Sequence, residues 1–473
     1  MLVKKYRGSL SGEHGDGRLR GEMIPAMMGA EVYALFERIK EAFDPDDVFN
    51  KGKITATPVM NEFLRYEQDL PKAEINTFFN YDKQENILKL TEKCSGSGDC
   101  RKTELTGGTM CPSYMATRLE KNTTRARANI LRQYLTAQTP KGALLPENVF
   151  LNHHDTASKK AGKIAADEVK EVFDLCLSCK GCKSECPSGV DVGKLKAEFY
   201  QHYYQTYGVP FRSIMIGNFT KLTALASKLP WVYNFLVTNT LTSNLMKKVM
   251  GFAPKRSLPK LASQTLEKWQ KTRNNRLINI ADPKTNRTKR MKKILLFCDE
   301  FTNYNDVEIG KKFILLFEKL GYEVQIPKHI ESGRAYLSKG LLIEAQKIAI
   351  QNVNLLFEAI QDGTAIIGIE PSAILTLRDE YLELVPKEML PMAEKVAENS
   401  YLFEEYFAQE IDKKNIKSEF FSQEKKLIKL HGHCYQKALS SLTPSKKLLS
   451  LPANYEVHMI PSGCCGIDRK SVV

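Results

Sequence analysis

The stretch CLSCKGCKSECP, Cys176 to Pro187, decides how the rest of the chain is read. Its cysteines fall at Cys176, Cys179, Cys182 and Cys186, with proline directly after the last, a C-x2-C-x2-C-x3-C-P run. Two-residue gaps let one loop wrap three thiolates around one face of an iron–sulfur cubane. The fourth, carried off by the turn before proline, ligates the other cluster where two are present. A tetrahedral zinc site also uses C-x2-C pairs, but it needs neither a third evenly spaced cysteine nor a Cys-Pro ending. Iron–sulfur ligation is the better reading, and it implies electron transfer.

Composition supports that reading. The chain has 473 residues, room for roughly two to four domains. Its eleven cysteines are clustered, which suits metal ligation in a reducing compartment rather than a disulfide scaffold, so a cytoplasmic location is expected. The net charge of +14, from 69 basic and 55 acidic residues, is a mild excess for this length. No nucleic-acid module accompanies it, so no nucleic acid is expected as partner. No signal-peptide pattern opens the sequence, and no apolar run reaches the ~18 residues of a spanning helix.

Residues 1–55 read as the end of something larger. SGEHGDGRLRGEMIP, residues 11–25, is a glycine-rich loop carrying Glu13, His14, Asp16 and Arg18. The periodicity of Val32, Leu35, Phe36 and Ile39 predicts a helix over Ala30–Phe43, stopped by Asp44-Pro45 and followed by an Asn50-Lys51-Gly52-Lys53 turn. On residues alone, Glu-His in such a loop is either a catalytic pair or a solvated turn. Together, Glu13-His14-Gly15-Asp16-Gly17, the helix, FDPDDVFN and the turn resemble the C-terminal end of the FAD-linked oxidase family. The family includes D-lactate dehydrogenases, glycolate oxidase and D-2-hydroxyglutarate dehydrogenase. The resemblance implies FAD as cofactor and His14 as the general base at the substrate. It also implies Glu13 as a ligand of a divalent metal such as Zn, and Asn50 lining the flavin site. A neutral imidazole can take a proton near neutral pH, and a metal-held hydroxyl gives one up more readily.

Residues 56–90 are expected to be a connector. Cys94, Cys100 and Cys111-Pro112 then resemble a first cluster motif, with Ser97 at the middle position of C-x2-S-x2-C. The exchanged-cysteine rule assigns Cys111 to the cluster of Cys176, Cys179 and Cys182. Cys94, Cys100 and Cys186 are left one thiolate short, and Ser97 could ligate only as a hard-won alkoxide, so a three-iron cluster or no second cluster is expected there and one or two [4Fe–4S] clusters remain open. If only one forms, Cys186 could instead complete it. An arginine-rich helix is expected over Thr117–Leu135, its arginines mostly facing water, and another over Val192–Tyr204. The arrangement over 91–205 resembles an α-helical ferredoxin domain.

Residues 206–290 read as a helical extension with Trp231, Tyr233 and Phe235, then a basic linker. That apolar-then-basic order suits either peripheral contact with the anionic inner face of a membrane or a plain solvated extension. From 291 to 467 strands and helices alternate, predicting an α/β domain with a parallel sheet. Cys298, Glu370, His431, His433, Cys434, Cys464 and Cys465 fall at carboxyl ends of its predicted strands, where such sheets gather ligands. HGHC and CCG resemble the cysteine-rich CCG domain of heterodisulfide reductase and glycolate oxidase iron–sulfur subunits. A complete pattern would need further cysteines, which this stretch lacks. The closing DRKSVV, Asp468–Val473, coincides with the translation of a common sequencing-adapter read and is expected to be an assembly artefact.

The fold expected is therefore multi-domain, α and α/β: the C-terminal piece of an FAD-linked oxidase, an α-helical ferredoxin domain and a parallel-sheet CCG domain. The order resembles one-chain FAD and iron–sulfur dehydrogenases of D-2-hydroxy acids, and the chain reads as a piece of one, truncated at both ends. The resemblance implies a small D-2-hydroxy acid as substrate, D-lactate first and D-2-hydroxyglutarate or glycolate as alternatives. It implies a quinone, cytochrome or electron-transfer flavoprotein as acceptor. The rival reading is an electron-transfer subunit with no substrate chemistry of its own.

Overall fold

A computed structural model describes residues 2–62, 75–137, 165–280 and 292–463. Cys464, Cys465 and the DRKSVV tail lie outside the described residues. The described residues form two compact units, one over 2–62 and one over 75–137, 165–280 and 292–463.

In the first unit the expected helix runs over Ala30–Phe43. Asp44 ends it, its carboxylate accepting from the backbone amides of Val48 and Phe49 at 2.9 Å each and pairing with Lys40. The apolar stripe of this helix stays open to solvent: Val32, Leu35 and Ile39 are 40%, 50% and 57% exposed.

The second unit holds both the cluster motifs and the α/β part, and one apolar core runs through them. Phe79, Tyr81, Ile87 and Leu90 begin it, Leu131, Phe173 and Phe199 continue it, and Leu295, Phe297 and Ile366 carry it onto the sheet. The end of the expected connector is therefore packed core, because its scattered aromatics bury against the Val192–Tyr207 helix. There the buried Glu198 carboxylate accepts from the amides of Phe78 (2.8 Å) and Phe79 (3.0 Å).

The arginine-rich helix starts later than expected, at Thr124. Pro112–Thr117 is a separate short helix closed by Arg118 in the left-handed region (φ 58°). Nor do all its arginines face water. Arg127 is buried, donating to the carbonyls of Asn122 (2.8 Å) and Val172 (3.0 Å) and to Ser113 Oγ (3.0 Å).

Among the described residues the α/β part has two parallel sheets where a single parallel sheet was expected. The first has the order β2-β1-β3-β4, formed by β1 (Lys292–Phe297), β2 (Tyr322–Gln325), β3 (Ile366–Gly368) and β4 (Ser400–Leu402). Side chains of β1 alternate between cores: Leu295 and Phe297 face the shared core, while Ile294, Leu296 and Cys298 join a second one with Phe313, Phe317 and Phe407. The second sheet pairs β5 (Lys426–Leu430) with β6 (Tyr455–Met459). Central parallel strands are buried on both faces and read as unbroken apolar runs. KLIKL and YEVHM carry charged residues instead, and they stay largely exposed. β4, only three residues long, is too short for a period-two pattern to reveal.

Candidate metal centres

Two cavities lie within the cluster-bearing region. The first is lined by Cys111, Cys176, Cys179 and Cys182, with Thr124, Arg127 and Lys180. The second is lined by Cys94, Cys100 and Cys186, with Ser97, Asp99 and Arg125. Each cavity thus takes one cysteine from the other motif, the grouping that an exchanged pair of cluster sites requires. Thr124 lines both, so a single residue forms a common wall.

Local sequence explains this interlock. Glu185, between two cysteines of the second run, accepts from the amides of Thr109 (2.6 Å) and Met110 (3.1 Å), which delivers Cys111 across to the first cavity. Gly181 lets the two loops touch: a Cβ there would lie 3.1 Å from the Met110 backbone. Cys111, Ser178 and Lys180 all sit in the left-handed region (φ 56°, 50° and 61°), a strained choice for non-glycine residues that clusters at functional sites.

The donors are arranged around a space rather than converging on a point. Among the described residues, no three His, Cys, Asp or Glu side chains form a group that could hold a single metal ion. Soft thiols spread around a cavity fit a multi-iron cluster better than one zinc ion. Backbone donors already point at the sulfurs: the Thr124 amide lies 3.0 Å and its Oγ1 2.9 Å from Cys111 Sγ, and the Val192 amide donates to Cys182 Sγ at 3.3 Å. Hydrogen bonds to cluster sulfurs are among the features that set a cluster's potential. Burial pushes the Cys111 thiol up to about 12 and raises Cys182 and Cys100 as well. These thiols therefore ionise only with a cation bound among them, and metal binding must release protons.

A buried charge network anchors the first cavity to the α/β part. Lys180 Nζ lies 3.0 Å from Asp191, 3.1 Å from Asp379 and 3.3 Å from Glu380. Burial pulls its pKa down, but the three carboxylates outweigh that and hold it well above the ordinary lysine value. Lys183 pairs with Asp379, and Arg334 with Glu380 at 2.7 Å. Tyr435 donates its hydroxyl to the Ser178 carbonyl (2.9 Å), and Lys196 Nζ to the Cys176 carbonyl (2.6 Å). The cysteine spacing gave no hint of this network; the lysines inside CKGCKSEC, at positions where a loop packs against protein, were the available signal.

Among the described residues, the two cysteines at the strand ends, Cys298 and Cys434, lie in different cores, Cys298 in the second and Cys434 in the shared one. The physical reason is the alternation of β1, which sends Cys298 to the face opposite Phe297. Its amide donates to His329 Nε2 (3.1 Å), and burial pushes its thiol well up. Cys434 instead opens the Cys434–Leu439 helix, which packs on the Gly181–Glu185 helix of the cluster loop. Glu370 and His433 do meet, at 3.8 Å, whereas His431 is exposed. Beside them Asp299 is pushed up to about 7 by burial and by Glu370 and Glu300.

In the first unit, Glu13 and His14 are exposed and 3.4 Å apart, and Asn50 Oδ1 accepts from Lys53 Nζ at 2.9 Å. Glu13 belongs to no group of metal-ligating side chains among the described residues.

Comparison with known proteins agrees with the two motif-bearing regions. Residues 1–54 match the model of the FAD linked oxidases, C-terminal domain, and residues 93–191 match the 4Fe-4S dicluster domain. A D-2-hydroxyglutarate dehydrogenase of Pantoea ananatis is 29% identical over 407 residues, covering 81% of this chain and 38% of its own length. One from Escherichia coli K12 is 26% identical, covering 98% of this chain and 46% of its own. A third, from Pseudomonas putida, is 28% identical over 418 residues, covering 82% of this chain and 40% of its own. The chain thus spans less than half the length of these relatives. No solved structure matches it. The chain joins the C-terminal domain of an FAD-linked oxidase to a 4Fe–4S dicluster domain, and its relatives include D-2-hydroxyglutarate dehydrogenases.

Proposed function

We propose that this chain is the electron-exporting part of an FAD- and iron–sulfur-dependent dehydrogenase of D-2-hydroxy acids. The observation that carries the reading is the pair of adjoining cysteine cavities on the same chain as an FAD-linked oxidase segment. Cys111, Cys176, Cys179 and Cys182 ligate one cluster; Cys94, Cys100 and Cys186 ligate the other. FAD, when bound, supplies the two-electron chemistry at the substrate carbon. His14 takes the proton of the substrate hydroxyl, Glu13 contributes to a divalent metal site, and Asn50 lines the flavin. Single electrons then cross between sites that share the Thr124 wall and leave to a quinone, cytochrome or electron-transfer flavoprotein.

The family resemblance puts D-lactate first among the substrates. The names borne by the relatives favour D-2-hydroxyglutarate instead. The test is anaerobic addition of each acid to the protein carrying its flavin-binding domain, following the visible absorbance of the clusters. D-2-hydroxyglutarate is expected to bleach it and D-lactate to leave it unchanged. Bleaching by D-lactate alone overturns the substrate assignment, and bleaching by dithionite but by neither acid favours a pure electron-transfer protein.

A peripheral membrane contact is supported by residues 199–266, which hold eight Lys or Arg and no Asp or Glu. Their helices are amphipathic the wrong way round for a protein core. Ser213, Thr223 and Ser243 are buried while Leu225, Trp231, Leu241 and Leu245 are 65%, 72%, 82% and 64% exposed. Such a surface suits an anionic bilayer face. Among the described residues, no helix is long and apolar enough to cross a membrane.

A further inference from the structure

The second cavity offers three thiols, and Ser97 stands at the position a fourth cysteine would take. Cys94 and Cys100 are 7% and 5% exposed and Cys186 is half-buried, whereas Ser97 is exposed. Ser97 holds the central position of its loop between Gly96 (φ 79°) and Gly98 (φ 84°), and Ser188 Oγ ties that loop to the Cys186-Pro187 turn through Ser95 Oγ at 3.1 Å. Of the other oxygen-bearing side chains lining the cavity, Ser95 accepts from Ser188, Thr124 Oγ1 lies 2.9 Å from Cys111 Sγ, and Asp99 is half-exposed with Lys102 3.9 Å away.

Ligand chemistry separates the fourth position from the other three. A thiol ionises near pKa ~8.5, whereas an uncoordinated hydroxyl, with water at ~15.7 as the guide, lies roughly seven units higher. Serine is thus a far poorer anchor for iron than cysteine, and its side of the cavity is the one water reaches. The first cavity has no such gap, because Cys111 crosses over to complete it.

Resting on the iron–sulfur reading above, we propose that the second site is a three-thiolate cluster site whose fourth iron, on the Ser97 side, is water-accessible and exchangeable. Release of Fe2+ from [4Fe–4S]2+ leaves [3Fe–4S]0, with charge and electrons conserved. One-electron oxidation by added ferricyanide, which becomes ferrocyanide, then gives [3Fe–4S]+. The three thiolates of Cys94, Cys100 and Cys186 stay bound throughout. Excess Fe2+ with dithionite reverses both steps. The site therefore responds to iron supply and oxidants while the first cluster does not.

The test is EPR with iron and sulfide analysis on the anaerobically reconstituted full chain and its Ser97→Cys variant. In the parent chain ferricyanide is expected to produce the signal of an oxidised three-iron cluster and to lower the content from about eight irons to about seven. Fe2+ with dithionite is expected to abolish that signal. Ser97→Cys should lose the signal and keep its iron. Two four-iron clusters that survive ferricyanide in the parent chain overturn the proposal while leaving the electron-transfer reading intact. A content of about four irons also overturns it. A chain that binds no iron overturns both readings.

Discussion

Lys180→Met tests whether the cluster loop and the α/β part stand or fall together. The Lys180 side chain is 3% exposed, and its ammonium is within 3.3 Å of Asp191, Asp379 and Glu380. Methionine keeps much of the stem's volume and deletes the charge. Removing one partner from a buried ion network costs about 3–5 kcal/mol, because the carboxylates left behind are desolvated and unpaired. Here the remaining cations soften the loss: Lys183 still pairs with Asp379, and Arg334 stays 2.7 Å from Glu380. The expected cost is therefore at the low end, about 3 kcal/mol. Lys89→Ala, which breaks the exposed Lys89–Glu92 pair of 2.8 Å, should cost less than about 1 kcal/mol. The assay is urea unfolding of the reconstituted protein, followed by cluster absorbance and far-UV circular dichroism together. Both signals should shift to lower urea in parallel. A loss below about 1 kcal/mol, or cluster release with the α/β signal unmoved, refutes the claim of a common folding unit.

Two further outcomes follow from other parts of the molecule. Asp299 binds a proton in the folded state up to about pH 7, whereas an unfolded aspartate releases it near pH ~3.9. Its contribution to stability is thus greatest at low pH and declines as pH rises through about 7. Asp299→Asn keeps an acceptor for the Phe301 and Thr302 amides and removes the titration. Urea midpoints of parent and variant should diverge between about pH 5 and pH 8, by up to about 3 kcal/mol in the variant's favour at the higher pH; parallel pH profiles contradict this. For the exposed apolar face, the chain should float with vesicles containing anionic phosphatidylserine and not with neutral phosphatidylcholine. Trp231→Glu with Leu241→Glu should abolish that, and equal flotation with both vesicle types counts against an electrostatic membrane contact.

Much of this was legible because ligation and helix periodicity are local properties. CLSCKGCKSECP announces its chemistry through spacing alone, and the exchange of Cys111 for Cys186 follows from the Cys-Pro rule. Ala30–Phe43 matched its periodicity to the residue. What escaped detection depends on partners distant in sequence. Lys180 meets Asp379 and Glu380 across about two hundred residues, and buried Arg127 looks like any surface arginine in a basic helix. The split into two sheets was written in KLIKL and YEVHM, whose charges argue against central strands, but alternation alone does not say which strands pair. Cys298 and Cys434 share a position at strand ends yet face different cores, a difference set by pleat and helix packing rather than by sequence neighbourhood.

The central claim is the exchange of cysteines between two adjoining cluster sites. Mössbauer and EPR spectra of reconstituted Cys111→Ser and Cys186→Ser chains test it most directly. Cys111→Ser is expected to damage the cluster held by Cys176, Cys179 and Cys182 and to spare the one held by Cys94 and Cys100. Cys186→Ser should do the reverse, although Cys186 lies in the same run as Cys182. Loss of the Cys176–Cys182 cluster in Cys186→Ser, with that cluster intact in Cys111→Ser, would contradict the account.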